Sequence, residues 1–121
     1  MLILLVDDVH DARKAHRGML ETLGHEVIEA SDGRGAIQTA AASGPDTILM
    51  EFTLPDIDGL LAVAAMRAIS HLRHVPIVAT AASPKDLLHA QALAAGCNAY
   101  LEKPFTIESL ANVLHRLAKA D

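Results

Sequence analysis

Short apolar runs alternate along this chain with segments in which apolar residues recur every three or four positions. The runs are rich in Val, Ile and Leu, which is typical of strands covered on both faces. The segments between them have the period of amphipathic helices. The pattern repeats five times and predicts strands at residues 2–6, 26–30, 47–51, 75–80 and 98–102.

Turn residues mark the predicted helix ends. Gly24 and Gly44 stand where the first and second helices should end, because glycine adopts the left-handed conformation that closes a helix. Ser83 and Pro84 have the form of a helix start and predict a fourth helix that runs to Gly96. The predicted buried positions of the first helix are Ala12, Ala15, Met19 and Leu23.

Five strand–helix units predict an α/β fold in which helices cover both faces of a parallel sheet. Right-handed crossovers leave few topologies for such a chain. The flavodoxin-like (βα)5 three-layer sandwich, with strand order 2-1-3-4-5, suits this length best, and residues 1–121 are predicted to form a single domain. Ligands of these sheets bind beyond the carboxyl ends of the strands, so the residues that follow each strand are the candidate site.

Charged and hydroxyl residues stand at four of these strand ends. Carboxylates brought together there repel one another, at a cost of about 4 kcal/mol per pair at about 4 Å and an effective dielectric of about 20. Either a lysine ammonium or a hard divalent cation such as Mg²⁺, bound through oxygens, would offset that repulsion. The residues are Asp7, Asp8, Glu51, Thr80 and Lys103.

Composition narrows the class of protein. The net charge is −5 and basic residues form no cluster, so the footprint of a nucleic-acid-binding protein is missing. Cys97 is the only cysteine, which excludes an intrachain disulfide and suits a reducing compartment. The apolar start of the chain is too short for a signal peptide, and no run is long enough to span a membrane. We therefore expect a cytoplasmic protein that contacts neither nucleic acid nor membrane.

Four motifs, in order and at matching spacing, resemble response-regulator receiver domains of the chemotaxis type. They are LVDD at 5–8, LPDIDG at 54–59, VPIVATAA at 75–82 and AYLEKPFT at 99–106. The resemblance covers essentially the whole chain. It implies a flavodoxin-like receiver domain that takes part in two-component phosphorelay signalling from histidine kinases and is not itself an enzyme.

The resemblance also implies a magnesium site. Asp8 matches the family's direct ligand of Mg²⁺, and Asp7 matches the ligand that acts through water. Position 51 and the main-chain carbonyl of Thr53 match the remaining protein ligands.

Further positions match the family's phosphoryl pocket and its conformational switch. Lys103 resembles the lysine that pairs with the phosphoryl group, and Thr80 the hydroxyl that turns towards it. Tyr100 matches the aromatic residue whose rotation follows that hydroxyl. Pro104 matches a proline that usually follows a cis peptide bond, which X-Pro bonds allow at little cost.

Position 51 departs from the family, because it is glutamate where the phosphate acceptor is aspartate. The extra methylene moves the carboxylate oxygens outwards by about 1 Å, an error that can cost about a hundredfold in rate. It also carries the carboxylate towards the predicted position of Lys103. Three hypotheses follow: Glu51 acts as a phosphorylation-independent, partly phosphomimetic element, as an inert acid, or as a working glutamyl acceptor.

Output is expected through binding to another protein, either a histidine kinase or a downstream effector. In receivers the face of the fourth helix, fifth strand and fifth helix usually serves, and here it is predicted to include Leu88 and Phe105 and to be a candidate homodimer contact. Two other classes of protein have the same fold or use acidic residues at the strand ends. A flavodoxin-like ligand binder is disfavoured by the acidic first loop, and a Mg²⁺-dependent phosphohydrolase by the adjacency of Asp7 and Asp8.

Overall fold

The structure, a computed structural model, describes residues 1–83, 85 and 96–119. Five parallel strands form one sheet in the order β2-β1-β3-β4-β5, which confirms the predicted flavodoxin-like topology. The strands are β1 (Leu2–Val6), β2 (Glu26–Ala30), β3 (Thr47–Glu51), β4 (Ile77–Ala81) and β5 (Ala99–Glu102).

The helices of the described residues alternate with the strands. They are α1 (His10–Thr22), α2 (Gly33–Ser43), α3 (Gly59–Arg67) and α4 (Ile107–Lys119), with a short 3₁₀ helix at Ser70–Leu72. The helix predicted between Ser83 and Gly96 lies almost entirely outside the described residues. None of the helices described here is long and apolar enough to cross a membrane.

Strand β4 begins two residues later than its apolar run predicts. The Val75 amide bonds to the Leu72 carbonyl (3.3 Å) in the turn that leaves the 3₁₀ helix, and Pro76 has no amide hydrogen to give to a ladder. Pairing therefore starts at Ile77, opposite Ile48 of β3. The Ile77 amide donates a hydrogen bond to Oδ1 of Asn98 (2.9 Å), and β5 begins one residue later than predicted, at Ala99.

Two apolar clusters pack on the two faces of the sheet. One lies under α2 and α3 and includes Ile48, Met50 and Met66, all fully buried. The other lies under α1 and α4 and includes Leu20, Leu49 and Leu110, which are equally inaccessible. This burial of aliphatic side chains on both faces is what holds the strand ends, and the residues that follow them, in fixed positions.

The buried side of α1 differs from the predicted one. Ala15 is exposed and Met19 is only partly buried, whereas His16 and Leu20 face the core. The prediction shifted by one position because a histidine was not counted among the residues that face the interior. His16 is 9% exposed, and its Nδ1 lies 3.9 Å from Oδ2 of Asp7, the residue that follows β1.

Candidate functional site

A cleft of about 420 Å³ opens at the carboxyl end of β1, β3 and β4. The register of the sheet sets its walls, because Glu51 of β3 pairs with Thr80 of β4, and the Lys103 amide bonds to the Ala81 carbonyl (2.9 Å). The residues that line the cleft are Asp8, Val9, Glu51, Thr53, Ala81, Ala82, Ser83 and Lys103.

Lys103 joins two carboxylates that are far apart in the chain. Its ammonium donates a hydrogen bond to Oδ2 of Asp7 (2.7 Å) and forms an ion pair with Oε2 of Glu51. Asp7 is 1% and Glu51 is 7% exposed, so both charges lie in a largely water-free environment. Oε2 of Glu51 accepts no well-aligned hydrogen bond from the described residues, and the positive charge of Lys103 is therefore its main compensation.

Burial affects the pKa values of both Glu51 and Lys103. It raises the pKa of the Glu51 carboxyl, and the attraction of Lys103 and a hydrogen bond from the Thr53 main chain oppose that rise without cancelling it. Burial also acts to lower the pKa of Lys103, but Asp7 and Glu51 outweigh it, and the net pKa is raised. Lys103 is thus a fixed cation whose charge the two acids require.

Asp7 has further partners that the sequence analysis missed. Its Oδ1 accepts the Val9 amide (3.0 Å), and its main-chain carbonyl accepts a hydrogen bond from Arg13 of α1 (2.8 Å). Nδ1 of His16 lies 3.9 Å from Asp7 Oδ2. Burial lowers the pKa of His16, the charge of Lys103 lowers it further, and Asp7 partly opposes both. The spacing of Arg13 and His16 on a predicted helix was the available sign that both could reach the end of β1.

The predicted switch residues lie beside the cleft. Thr80 is buried (3% exposed), and its carbonyl accepts the amide of Phe52 (2.9 Å). The Tyr100 hydroxyl donates a hydrogen bond to the Ser83 carbonyl (2.6 Å), across the start of the segment that follows β4. The Lys103–Pro104 peptide bond is cis, as the motif predicts.

The remaining predicted metal ligands, Asp8 and Thr53, are exposed residues on the wall of the cleft. Hard oxygen donors are therefore present at the place that the sequence predicts for Mg²⁺. In the described part of the chain, however, no three Asp, Glu, His or Cys side chains are grouped so that they could hold a metal ion. The carboxylates of Asp7 and Glu51 are turned to Lys103 instead.

The structure describes only one of the two predicted docking residues. Leu88 lies outside the described residues. Phe105 is 8% exposed and stacks on His16 with ring centroids 4.3 Å apart, so it faces α1 and not the solvent. This burial follows from the apolar gain of enclosing a phenylalanine ring, and the expectation that Phe105 borders a docking surface stays a prediction.

Comparison with known proteins agrees with the geometry. Residues 3–115 match the model of the response regulator receiver domain family. The polar-differentiation response regulator DivK of Brucella anthropi is 30% identical over 105 residues, which are 87% of this chain and 85% of DivK.

Solved structures of receivers superpose closely. The receiver domain of the sensor histidine kinase PA1611 from Pseudomonas aeruginosa PAO1, which has a magnesium ion in its active-site cleft, is 36% identical with a TM-score of 0.92 over 98% of each chain. Chemotaxis protein CheY4 of Vibrio cholerae is 30% identical, with a TM-score of 0.91 over 96% of this chain and 97% of its own.

Proposed function

Because this chain belongs to the response regulator receiver domain family, and so to two-component signalling, we propose that it is a receiver module whose output does not depend on phosphorylation of residue 51. The observation that carries the proposal is the ion pair between Glu51 and Lys103 at the base of the cleft. The glutamate carboxylate contacts the ammonium that would otherwise be available to an incoming phosphoryl oxygen. Residue 51 thus supplies a negative charge at that position without phosphorylation.

The chemistry of phosphoryl transfer supports this proposal. Transfer to a carboxylate depends almost wholly on positioning, since the attacking oxygen must lie in line with the donor. A carboxylate held against a partly buried ammonium is less free to adopt that geometry and is a weaker nucleophile. Glu51 offers one charge, and no tetrahedral array of oxygens, so it imitates a phosphorylated residue only in part.

We propose that Mg²⁺ binds this cleft only weakly. Asp7, Asp8, Glu51 and the Thr53 carbonyl are the groups that would hold it, and a bound ion would supply charge neutralisation for phosphate oxygens. The ammonium of Lys103 already offsets part of the charge of the two buried carboxylates among these groups. A divalent cation would have to compete with that charge, which lowers its affinity.

Phosphorylation by a small donor tests the proposal directly. The wild-type protein and Glu51→Asp are incubated with acetyl phosphate and Mg²⁺, and their intact masses are measured. We expect the wild type to remain unmodified and Glu51→Asp, whose shorter side chain restores the acceptor geometry, to gain one phosphoryl group. A phosphoryl group on Glu51 of the wild type would refute the proposal, and an unmodified Glu51→Asp would locate the defect elsewhere in the cleft.

A second comparison separates a phosphomimetic Glu51 from an inert one. Glu51→Gln keeps the size of the side chain but removes its charge, so Lys103 loses one of its two acidic partners. Tyr100 lies on β5, outside the lining of the cleft. If the charge of Glu51 fixes the conformation of the switch residues, the ring resonances of Tyr100 should shift in NMR spectra of Glu51→Gln. Shifts confined to the lining residues would favour an inert acid.

We propose further that the module comprises residues 1–121 as one domain, works in the cytoplasm, and signals without catalysis by binding a histidine kinase or a downstream effector. A homodimer through the face that contains Leu88 is part of the same proposal. Leu88→Glu should lower the mass measured by light scattering if the protein self-associates there. The same mass for Leu88→Glu and for wild type, both above that of a monomer, would contradict that choice of face.

A further inference from the structure

A stacked pair of rings connects α1 to the loop that carries Lys103. Phe105, two residues after Lys103, stacks on His16 with centroids 4.3 Å apart and an angle of 25° between the rings. Both residues are nine-tenths buried. Nδ1 of His16 also lies 3.9 Å from Oδ2 of Asp7, the oxygen to which Lys103 donates. Asp7 is therefore close to both Lys103 and His16, and the chain from Lys103 to Phe105 joins the ion pair to the stacked rings.

We propose that His16 is a positioning residue: by stacking on Phe105 it fixes the β5–α4 loop where the Lys103 ammonium reaches both Asp7 and Glu51. The inference deepens the proposed function, since it rests on the fixed ion pair and names what keeps it in place.

Lys103 needs such a support because of the nature of its side chain. Lysine is long and flexible, so the position of its ammonium depends on how firmly its backbone is held. On one side the Lys103 amide is tied to the Ala81 carbonyl (2.9 Å). On the other side Pro104 is exposed, and Phe105 is the first buried anchor. The His16 ring is the surface against which that anchor rests.

The surroundings of His16 suit a neutral ring. Burial and the nearby Lys103 charge both lower its pKa, against the weaker influence of Asp7. An uncharged ring can pack on Phe105 without placing a second cation beside Lys103. His16 therefore supports the ion pairs of Lys103 by contact, and the Lys103 ammonium remains the positive charge between Asp7 and Glu51.

The rate of acetylation of each lysine by a small N-hydroxysuccinimide ester, followed by mass spectrometry of peptides, tests the proposal. The exposed Lys14 in the same molecule is the internal reference for Lys103. Loss of one aromatic stack should raise the Lys103 rate, relative to Lys14, by roughly three- to tenfold. We expect this rise in His16→Leu and an equal rise in Phe105→Leu, with no further rise in the double variant because the two act as a pair.

Two controls separate positioning from loss of stability. His16→Phe keeps a ring against Phe105 and should keep the wild-type Lys103 rate. Leu114→Ala removes a buried side chain from the same apolar cluster, on α4, and should destabilise the fold without a selective rise at Lys103. Lys14 is already exposed, so its rate corrects for reagent and pH, and any rise at Lys103 in Leu114→Ala measures what loss of stability alone contributes.

The outcomes also distinguish this inference from the proposed function. If Lys103 of the wild type is acetylated as fast as Lys14, the ion pair is absent in solution and the proposed function fails first. If Lys103 is protected in the wild type and equally protected in His16→Leu, the ion pair stands and the role of His16 is refuted. A fast rate in His16→Phe would show that stacking is not the means of support.

Discussion

Lys103 is the residue on which the charge balance of the cleft depends. It brings one positive charge to two carboxylates that are less than a tenth exposed, and its own side chain is 17% exposed. A buried ion pair adds little net stability, because desolvation offsets the attraction, but removing one partner leaves an uncompensated charge. The three residues are therefore coupled, and a change at one alters the ionisation of the others.

Lys103→Met should lower the free energy of unfolding at pH 7 by about 3 kcal/mol, the low end expected for removing one partner of a buried charge pair. Glu51 has a pKa raised by burial, so it binds a proton more readily in the folded than in the unfolded state. Its protonation as the pH falls removes one of the two repelling charges, and the loss should be smaller at about pH 4. Urea unfolding of Lys103→Met and wild type at both pH values measures the loss of unfolding free energy.

The exposed Lys14 provides the matched control, since Lys14→Met removes the same group from a solvated site. That variant should differ little from wild type at either pH. An equal loss of stability in Lys103→Met at both pH values would show that repulsion between Asp7 and Glu51 is not its cause.

At the scale of elements, the loop between β3 and α3 is held by helix caps. The Asp56 carboxylate accepts the amides of Gly33 (2.8 Å) and Arg34 (2.9 Å) at the start of α2, and these bonds lower its pKa. Asp58 accepts the Leu60 amide (2.8 Å) at the start of α3. The loop that presents Thr53 to the cleft is thereby fixed to two helices, which satisfies amides that helix geometry leaves free.

Two glycines in helices give opposite predictions. A Cβ at Gly59, the first residue of α3, would lie 2.5 Å from the Phe52 carbonyl oxygen and 2.9 Å from its Cα, so Gly59→Ala should destabilise by about 2 kcal/mol. A Cβ at Gly18 of α1 would meet nothing within 4 Å, and Gly18→Ala should stabilise by about 0.5–1 kcal/mol. Thermal unfolding of the two variants measures the difference. A stabilised Gly59→Ala would show that α3 does not pack against Phe52 as described.

At the scale of the whole molecule, the strand order and the convergence of Asp7, Glu51 and Lys103 could be predicted from the sequence. Both follow from hydrophobic period and from the rule that the carboxyl ends of parallel strands share an edge. The position of His16 was missed because a polar histidine was not counted among the residues on the buried face of α1, although it is spaced four residues from Leu20. The inward turn of Phe105 depends on that same face and was missed with it.

Mg²⁺ should stabilise the whole protein only slightly. A cation that binds the folded state adds RT ln(1 + [L]/Kd), which is about 1.4 kcal/mol at ten times Kd. In Glu51→Asp the shorter carboxylate draws back from Lys103, so this variant should gain more stability from about 10 mM Mg²⁺ than the wild type does. Urea unfolding with and without the ion compares them, and an equal gain would contradict the competition between Lys103 and Mg²⁺.

The most direct measurement is a crystal structure of the wild-type protein grown with Mg²⁺ and beryllium fluoride, a tetrahedral mimic of a carboxylate-bound phosphoryl group. We predict that Lys103 keeps its ion pairs with Glu51 and Asp7 and that no beryllofluoride adduct forms at residue 51. A beryllofluoride group on the Glu51 carboxylate, with Lys103 turned to its fluorine atoms, would contradict a phosphorylation-independent receiver.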